Sequence, residues 1–389
     1  MSGPRRAERL ARPDSRPELL ARRVPELRAL VGEWLAAAGE PGYRTNQVVH
    51  AVYAERAGSW AGMTTLPREL RERLEAAFRF PSIALEEVRT SQDETTKFLW
   101  RLLDGEAVES VLIPTPSRDT LCLSSQAGCA LACSFCATGL LGWRRDLTAG
   151  EIVDQARQLL ARRDGAAHGV NVVFMGMGEP LLNWDALCVA LDVLMDPEGL
   201  DIGARRITVS TVGVPGRIVE LGERYPQVRL AVSLHAATDV VRDEIVPLNR
   251  RYPLRQLLAA CRLWAETTGK RFTFEVIHLP GINDRPEDVA ALGHVARGLP
   301  VKINLMRYNP IPRAPYRRPL ARETVAFRDA LRRESGVRVT IRRSRGMDVE
   351  GACGQLRLAR EPAGAGAASG AGATSATEAA SVREREAQR

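Results

Sequence analysis

Between about 25 and 90 the apolar residues recur at helical spacing. LRALVGEWLAAAG, NQVVHAVYAERA and LPRELRERLEAAF each place them on one face of a helix, and the first run ends at a glycine suited to a C-cap. From about 97 the period shortens. Strand-like runs, LCLSS (121–125), VNVVFMG (170–176), RITVST (206–211), VRLAVSL (228–234), RFTFEVI (271–277) and VKINLM (301–306), alternate with amphipathic stretches such as WDALCVALDVLM, LRQLLAACRLWAET and PEDVAALGHVARG. Thr148 and Glu151 have the spacing of a helix capping box. Strands separated by crossover helices require a parallel sheet, and about six such units predict an open or partial α/β barrel, completed by FRDALRRESG and VRVTIRR.

The ends lack this pattern. Residues 1–24 are polar and rich in Arg and Pro, and 361–389 form an Ala/Gly/Ser tract. Neither carries enough apolar surface to offset the entropy of ordering, so both are expected to be disordered. The expected organisation is a small helical N-terminal domain over 25–95 and a catalytic α/β domain over 96–360. No run of 18 uncharged apolar residues occurs, and the N-terminus mixes Arg with Glu8, Asp14 and Glu18 without an apolar signal core, so a cytoplasmic protein with no membrane span is expected.

The formal charge of +8 makes a polyanion a natural partner, since Lys and Arg beside phosphates release condensed counterions. Seven cysteines and no export signal point to a reducing compartment in which thiols serve chemistry or metal binding. Loops beyond the carboxyl ends of parallel strands carry the chemistry in such folds, and the unusual sequences fall there: SQAGCALACSFCATG, MGMGEP, STVG, SLHAA and NP.

Cys129, Cys133 and Cys136 form C-x3-C-x2-C, short enough for three thiolates to converge on one inorganic centre. A structural zinc wants four closed ligands, whereas a 4Fe-4S cube held by three cysteines leaves one iron open. A zinc knuckle completed by a remote Cys or His is the competing reading, and with it a zinc-stabilised, non-catalytic RNA-binding protein. Phe135 is expected to shield the centre. Cys188 and Cys261 lie on apolar helix faces and read as core, and His50, His168, His278 and His294 show no ligand spacing.

The triplet after the first strand, followed one unit later by MGMGEP, resembles the radical S-adenosylmethionine superfamily. PGYRTNQVVHAVY, VESVLIP, TLCLSSQAGCALACSFCATG, MGMGEPLLN, SLHAATDVVRDEIVPLN, KINLMRYNPIP and RRSRGMDVEGACGQL, spread over about 25–358, narrow the resemblance to the RlmN/Cfr family of rRNA adenosine methyltransferases. STVG and SLHAA depart from the STSG and SLHAP of many relatives. The resemblance implies a partial (β/α)6 barrel, a 4Fe-4S cluster on the triplet, and S-adenosylmethionine contacts at Gly178, Glu179, Ser210, Ser233, Leu234, His235 and Asn309. In the MGMGEP turn, Gly176 and Gly178 would let backbone approach the cofactor's methionine end, and Glu179 would accept from its ammonium.

The mechanism so implied uses Cys353 as methyl carrier. A polar transfer cannot serve carbon 2 of adenine, whose C–H is not acidic and whose ring is electron-poor. Cys353 would take the methyl group of one S-adenosylmethionine. A 5′-deoxyadenosyl radical from a second would remove hydrogen from it, and the methylene radical would add to the base, forming a protein–RNA adduct. Cys122 would then resolve the adduct and leave a transient Cys122–Cys353 disulfide, and Glu109 would act as proton acceptor. Read alone, Cys353 is an isolated thiol, Cys122 strand core, and Glu109 a solvated strand carboxylate. RNA phosphates are expected along Arg338, Arg342, Arg343 and Arg345, with Arg313, Arg317 and Arg318 in the preceding loop. The implied partners are 23S rRNA, with tRNA as a further candidate, and an electron donor such as flavodoxin; the enzyme is expected to be a monomer. Cfr-like methylation at carbon 8 is the alternative within the family.

Overall fold

A computed structural model describes residues 14–163, 169–342, 345–346 and 355–358. The strands are β1 (Ala84–Thr90), β2 (Thr96–Arg101), β3 (Ala107–Ile113), β4 (Asp119–Cys122), β5 (Gln126–Gly128), β6 (Trp143–Asp146), β7 (Val170–Phe174), β8 (Ile207–Thr211), β9 (Arg229–Ser233), β10 (Phe272–His278), β11 (Val301–Arg307) and β12 (Val339–Arg342). The helices are α1 (Val24–Ala37), α2 (Tyr43–Tyr53), α3 (Arg68–Ala77), α4 (Ala137–Leu140), α5 (Ala149–Ala161), α6 (Trp184–Met195), α7 (Pro215–Arg224), α8 (Asp239–Ile245), α9 (Leu254–Thr268), α10 (Pro286–Ala296), α11 (Ala321–Ser335) and α12 (Gln355–Leu358).

Ten strands make one sheet in the order β1-β2-β3-β4-β7-β8-β9-β10-β11-β12, and β5 pairs β6 separately. Every pairing from β4 to β12 is parallel. The first and last strands of the ten do not pair with each other, so the α/β barrel is partial, as the alternation of strand and helix patterns predicts. Crossover helices cover its outer face. Thr148 caps α5 with its hydroxyl accepting from Glu151 N at 3.1 Å, the expected capping box.

Three features differ from the sequence expectation. First, β1–β3 extend the sheet antiparallel, so the stretch expected to be helical up to 95 already contains β1; its exposed, charged ALEEVRT pattern does not read as a strand. Second, residues 14–23, part of the segment expected to be disordered, are placed by burial of Leu19 and Leu20, a backbone bridge from Glu18 to Arg79, and a hydrogen bond from Thr148 Oγ1 to Glu18 Oε1 of 3.0 Å. Two leucines and one acid outweigh the polar composition around them. The tail 361–389 lies outside the described residues. Third, α5 is buried on nearly all sides rather than one. Asp154 there accepts from Ser82 N and Ile83 N at 2.8 and 3.1 Å and pairs with Arg157 at 2.7 Å, so its polar face is spent on the loop before β1 instead of solvent. One contiguous apolar cluster runs from Leu19 through α1–α3 into the barrel, ending at Val339.

Candidate active site

The cysteine loop hangs from the β5–β6 hairpin. Its neck closes where Cys129 N donates to Gly142 O at 2.9 Å. Gly128 has φ +85°, and a Cβ there would lie 1.8 Å from Gly142 O, so the neck admits only glycine. Cys136 N donates back to Cys133 O at 3.0 Å, turning the loop so that Cys129, Cys133 and Cys136 share one apolar nest with Leu131, Phe135, Ile245 and Tyr308. Burial pushes the Cys129 thiol up to about 12, and burial followed by the neighbouring Cys136 and Cys129 pushes Cys133 well above the usual thiol range. The three sulfurs therefore sense one another in a dry site. Among the described residues no three His, Cys, Asp or Glu side chains close on a point tightly enough for a single ion. Three soft thiol donors in one apolar nest fit an iron–sulfur cube, whose coordinated thiols are held as thiolates.

Beyond β7 the MGMGEP turn packs against the same hairpin. Gly178 has φ +95°, and a Cβ there would stand 2.5 Å from the Gln126 side chain. Glu179 is 2% exposed; its Oε1 accepts from Leu181 N at 3.0 Å and its Oε2 from Val212 N at 2.8 Å. Burial outweighs these bonds and raises its carboxyl to about 7. A ligand ammonium beside it would restore the ionised form.

One cavity of about 500 Å³ joins these pieces. Gly178, Glu179, Ser210, Ser233, His235 and Asn309 all line it, as do Phe135 and Cys122. Leu234 does not. Its side chain is buried in the main core, and its backbone N donates to Glu275 O at 3.1 Å. His235 sits in the left-handed region at φ +61°, accepts at Nδ1 from Ile277 N at 3.2 Å, and meets Phe135 edge to face at 4.6 Å. Burial and then Arg242 lower it to about 3, so it is a neutral imidazole at physiological pH.

Arg242 on α8 is a residue that motif reading missed. It is 1% exposed, donates to Leu234 O at 3.1 Å, Asn249 Oδ1 at 2.8 Å and Val212 O at 2.5 Å, and ties the loops after β8 and β9 together beside Cys133. The signal was present in SLHAATDVVRDEIVPLN, where Arg follows an N-cap Thr238 on a helix whose other face is apolar.

Cys122 lies at the end of β4 between Val111 of β3 and Val173 of β7 and is buried on the cavity wall. Glu109 is brought near but not onto the wall. Its Oε2 pairs with Lys97 at 3.1 Å, both side chains being 3% exposed or less, and its Oε1 accepts from Arg357 N at 2.8 Å. Lys97, unremarked in the sequence, lines the cavity. Removing one member of a buried pair strands the other, so Lys97→Met is expected to cost about 3 kcal/mol of stability. Denaturant unfolding checks this, and a variant within about 0.5 kcal/mol of wild type would contradict it.

Cys353 lies outside the described residues, so the Cys122–Cys353 pairing falls outside them too; no disulfide joins two described cysteines. Among the arginines, Arg342 and Arg345 turn into the cavity rather than outward. Arg342 Nη1 reaches Met175 Sδ at 3.3 Å, and Arg345 lies 3.8 Å from Asp93. Arg313 and Arg338 are exposed, Arg317 pairs with Glu323 at 2.8 Å, Arg318 is half-buried, and Arg343 is outside the described residues.

Residues 123–293 match the Radical SAM superfamily. A probable dual-specificity RNA methyltransferase RlmN of Gemmatimonas aurantiaca is 45% identical over 85% of this chain and 91% of its own length. A dual-specificity RNA methyltransferase RlmN of an Anaeromyxobacter species is 43% identical over 89% and 92%. The crystal structure of a radical SAM methyltransferase from Sphaerobacter thermophilus, 43% identical, superposes with a TM-score of 0.82 over 88% of this chain and 99% of that one. Superfamily membership implies S-adenosylmethionine and a 4Fe-4S cluster, for which the thiol nest and the adjoining cavity are suited. With that identity over nearly the whole length, and with the glycine turn and Cys122 on one cavity wall and the triplet in the nest that Phe135 shares with that cavity, the chain belongs to the RlmN/Cfr family of radical SAM RNA methyltransferases.

Proposed function

We propose that this chain methylates carbon 2 of an adenosine in 23S rRNA, and also in tRNA, through a methyl carried on Cys353. The observation that carries the reading is the shared cavity: Cys122, Glu179, Ser210, Ser233, His235 and Asn309 face one space next to the thiol nest. Cys129, Cys133 and Cys136 would hold the cluster. Bound there, cluster and S-adenosylmethionine would supply the 5′-deoxyadenosyl radical that an electron-poor, non-acidic carbon requires. Glu179, its ionised form favoured by the cofactor's ammonium, would hold the methionine end, and neutral His235 with Phe135 walls off water.

Glu109 serves as proton acceptor only through its partners. Lys97 holds one oxygen and the Arg357 backbone the other, so a proton reaches Glu109 only as the Lys97 ammonium passes one of its own to the carboxylate and takes another from the cavity. The target base must leave its stack to enter, which favours loops over duplex. A monomeric state, cytoplasmic action and an electron donor such as flavodoxin complete the reading; no helix among the described residues is long and apolar enough to cross a membrane.

Mass spectrometry of rRNA and tRNA nucleosides from a deletion strain tests it. Loss of 2-methyladenosine is expected; loss of 8-methyladenosine instead would move the reading to carbon 8. The exposed Arg313 and Arg338 are the phosphate contacts the surface supports. Replacing both with Ala is expected to reduce the slope of log affinity against log salt by about 1.6, roughly 0.8 for each contact, without changing cofactor cleavage. An unchanged slope would place the RNA elsewhere.

A further inference from the structure

One carboxylate inside the barrel is only half used. On β10, Phe272, Phe274 and Val276 pack into the main core, and the alternation turns Thr273, Glu275 and Ile277 to the other side. Glu275 is 3% exposed and lines the cavity. In register it lies beside Ser233 on β9 and Asn304 on β11, and Asn304 lies beside Thr340 on β12, so a polar row crosses four adjacent strands. Thr340 Oγ1 donates to Asn304 Oδ1 at 2.7 Å, which turns the amide so that Asn304 Nδ2 donates to Glu275 Oε1 at 3.0 Å. The relay fixes the carboxylate, and its other oxygen, Oε2, is buried with no partner.

Buried carboxylates with a purely structural role in this protein do not look like that. Asp154 has both oxygens engaged by backbone N–H groups and Arg157, and Glu151 has both engaged by Arg145 and Thr148 N. An unmade hydrogen bond at a buried acceptor costs about 1 to 3 kcal/mol, more when the group is charged. A second orphan, Asn309 Oδ1, faces the same cavity. Two acceptors without donors call for a ligand that brings donors, and an adenosine brings ribose hydroxyls and an exocyclic amine.

The geometry points to Glu275 as a hydrogen-bond acceptor for an adenosine seated in this cavity, a contact that lies outside those the family resemblance carries over. The inference rests on the proposed function, under which two adenosines enter the site: that of S-adenosylmethionine and that of the RNA. Both present the same chemistry to Oε2.

The test compares wild type with Glu275→Ala, Glu275→Gln and Thr340→Val, all with the cluster reconstituted. It measures iron per chain, the dissociation constant of S-adenosylmethionine by equilibrium dialysis, and kcat/KM for RNA methylation. Glu275→Ala is expected to lose about ten- to a hundredfold, the worth of a hydrogen bond to a charged group. A loss in cofactor affinity assigns the cofactor's adenosine; a loss in kcat/KM with cofactor affinity intact assigns the RNA's. Glu275→Gln discriminates contact from scaffold. Asn304 must still be answered by an oxygen, so the glutamine nitrogen faces the cavity and opposes the ligand's donor, and this near-isosteric change is expected to be about as harmful as alanine. Thr340→Val, which frees the relay, is expected to weaken the same property, cofactor affinity or kcat/KM, by a smaller factor. Variants with wild-type iron content whose cofactor affinity and kcat/KM both stay within about twofold of wild type overturn the inference. Should Glu275→Ala not fold, the glutamine variant decides alone. A wild-type protein that binds no S-adenosylmethionine would instead defeat the proposed function, independently of Glu275.

Discussion

Replacing Cys129, Cys133 or Cys136 with alanine is expected to remove bound iron and reduce methylation to background while leaving the fold intact. Each thiol is one of three anchors, and a cube with two protein ligands is lost to solvent or chelator. The fold survives because the loop's shape comes from elsewhere. Its neck is the Gly128–Gly142 contact and the β5–β6 pairing, and its apolar nest is supplied by Leu131, Ala137, Ile245 and Tyr308. Removing a buried thiol whose ionisation burial opposes takes away no structural charge. The measurements are iron and sulfide per chain, about four each in wild type, together with circular dichroism and methylation. A triple-alanine protein that still bound four irons would sink the assignment. A colourless wild type holding about one zinc per chain would favour the non-catalytic RNA-binding alternative.

The parallel core was legible because each of its strands is an apolar run bounded by turn residues and followed by an amphipathic helix, a pattern that only a parallel sheet accommodates. The triplet and MGMGEP were legible because chemistry demands those residue types close together in sequence. What stayed hidden depends on distant pairing. β1 is charged on an exposed sheet edge, and β5 and β6 are three and four residues long, too short to show a period. Lys97 reads as an ordinary strand lysine until β2 and β3 pair, with Lys97 opposite Val111 and Leu99 opposite Glu109, and bring lysine and glutamate together on the diagonal. Glu275 was visible as an acid inside the apolar run FTFEVI, which on its own argues for burial with a purpose, but its orphan oxygen is defined only by Asn304 and Thr340. Arg342 shows the opposite error. Its neighbours Arg338 and Arg345 make the segment look like a phosphate-binding stripe, whereas Arg342, at the carboxyl end of β12, reaches inward to Met175, and Arg338, just before β12 begins, stays exposed.

Cys122→Ala and Cys353→Ala are expected to fail in opposite ways. Under the proposed mechanism Cys353 must take the first methyl group, so its alanine variant forms neither product nor adduct, although cluster and cofactor site are untouched. Cys122 acts at the end of the cycle. Attack of its thiolate on the Cys353 sulfur breaks the bond from sulfur to the transferred carbon, forms the disulfide, and leaves that carbon to collect a proton as the methyl group. Its position suits a resolving thiol, because it lies on the cavity wall at the carboxyl end of β4, the strand that leads directly into the cysteine loop. Without it the adduct has no nucleophile to release it, and Cys122→Ala purified from cells should carry RNA covalently on the peptide containing Cys353, in an amount approaching one per active chain. Nuclease treatment followed by mass spectrometry of that peptide detects a residual nucleotide. An RNA-free and inactive Cys122→Ala protein with normal iron would remove Cys122 from the resolving step, because burial of its small side chain could then account for the lost activity by packing alone. Normal methylation by Cys353→Ala would remove the covalent route altogether.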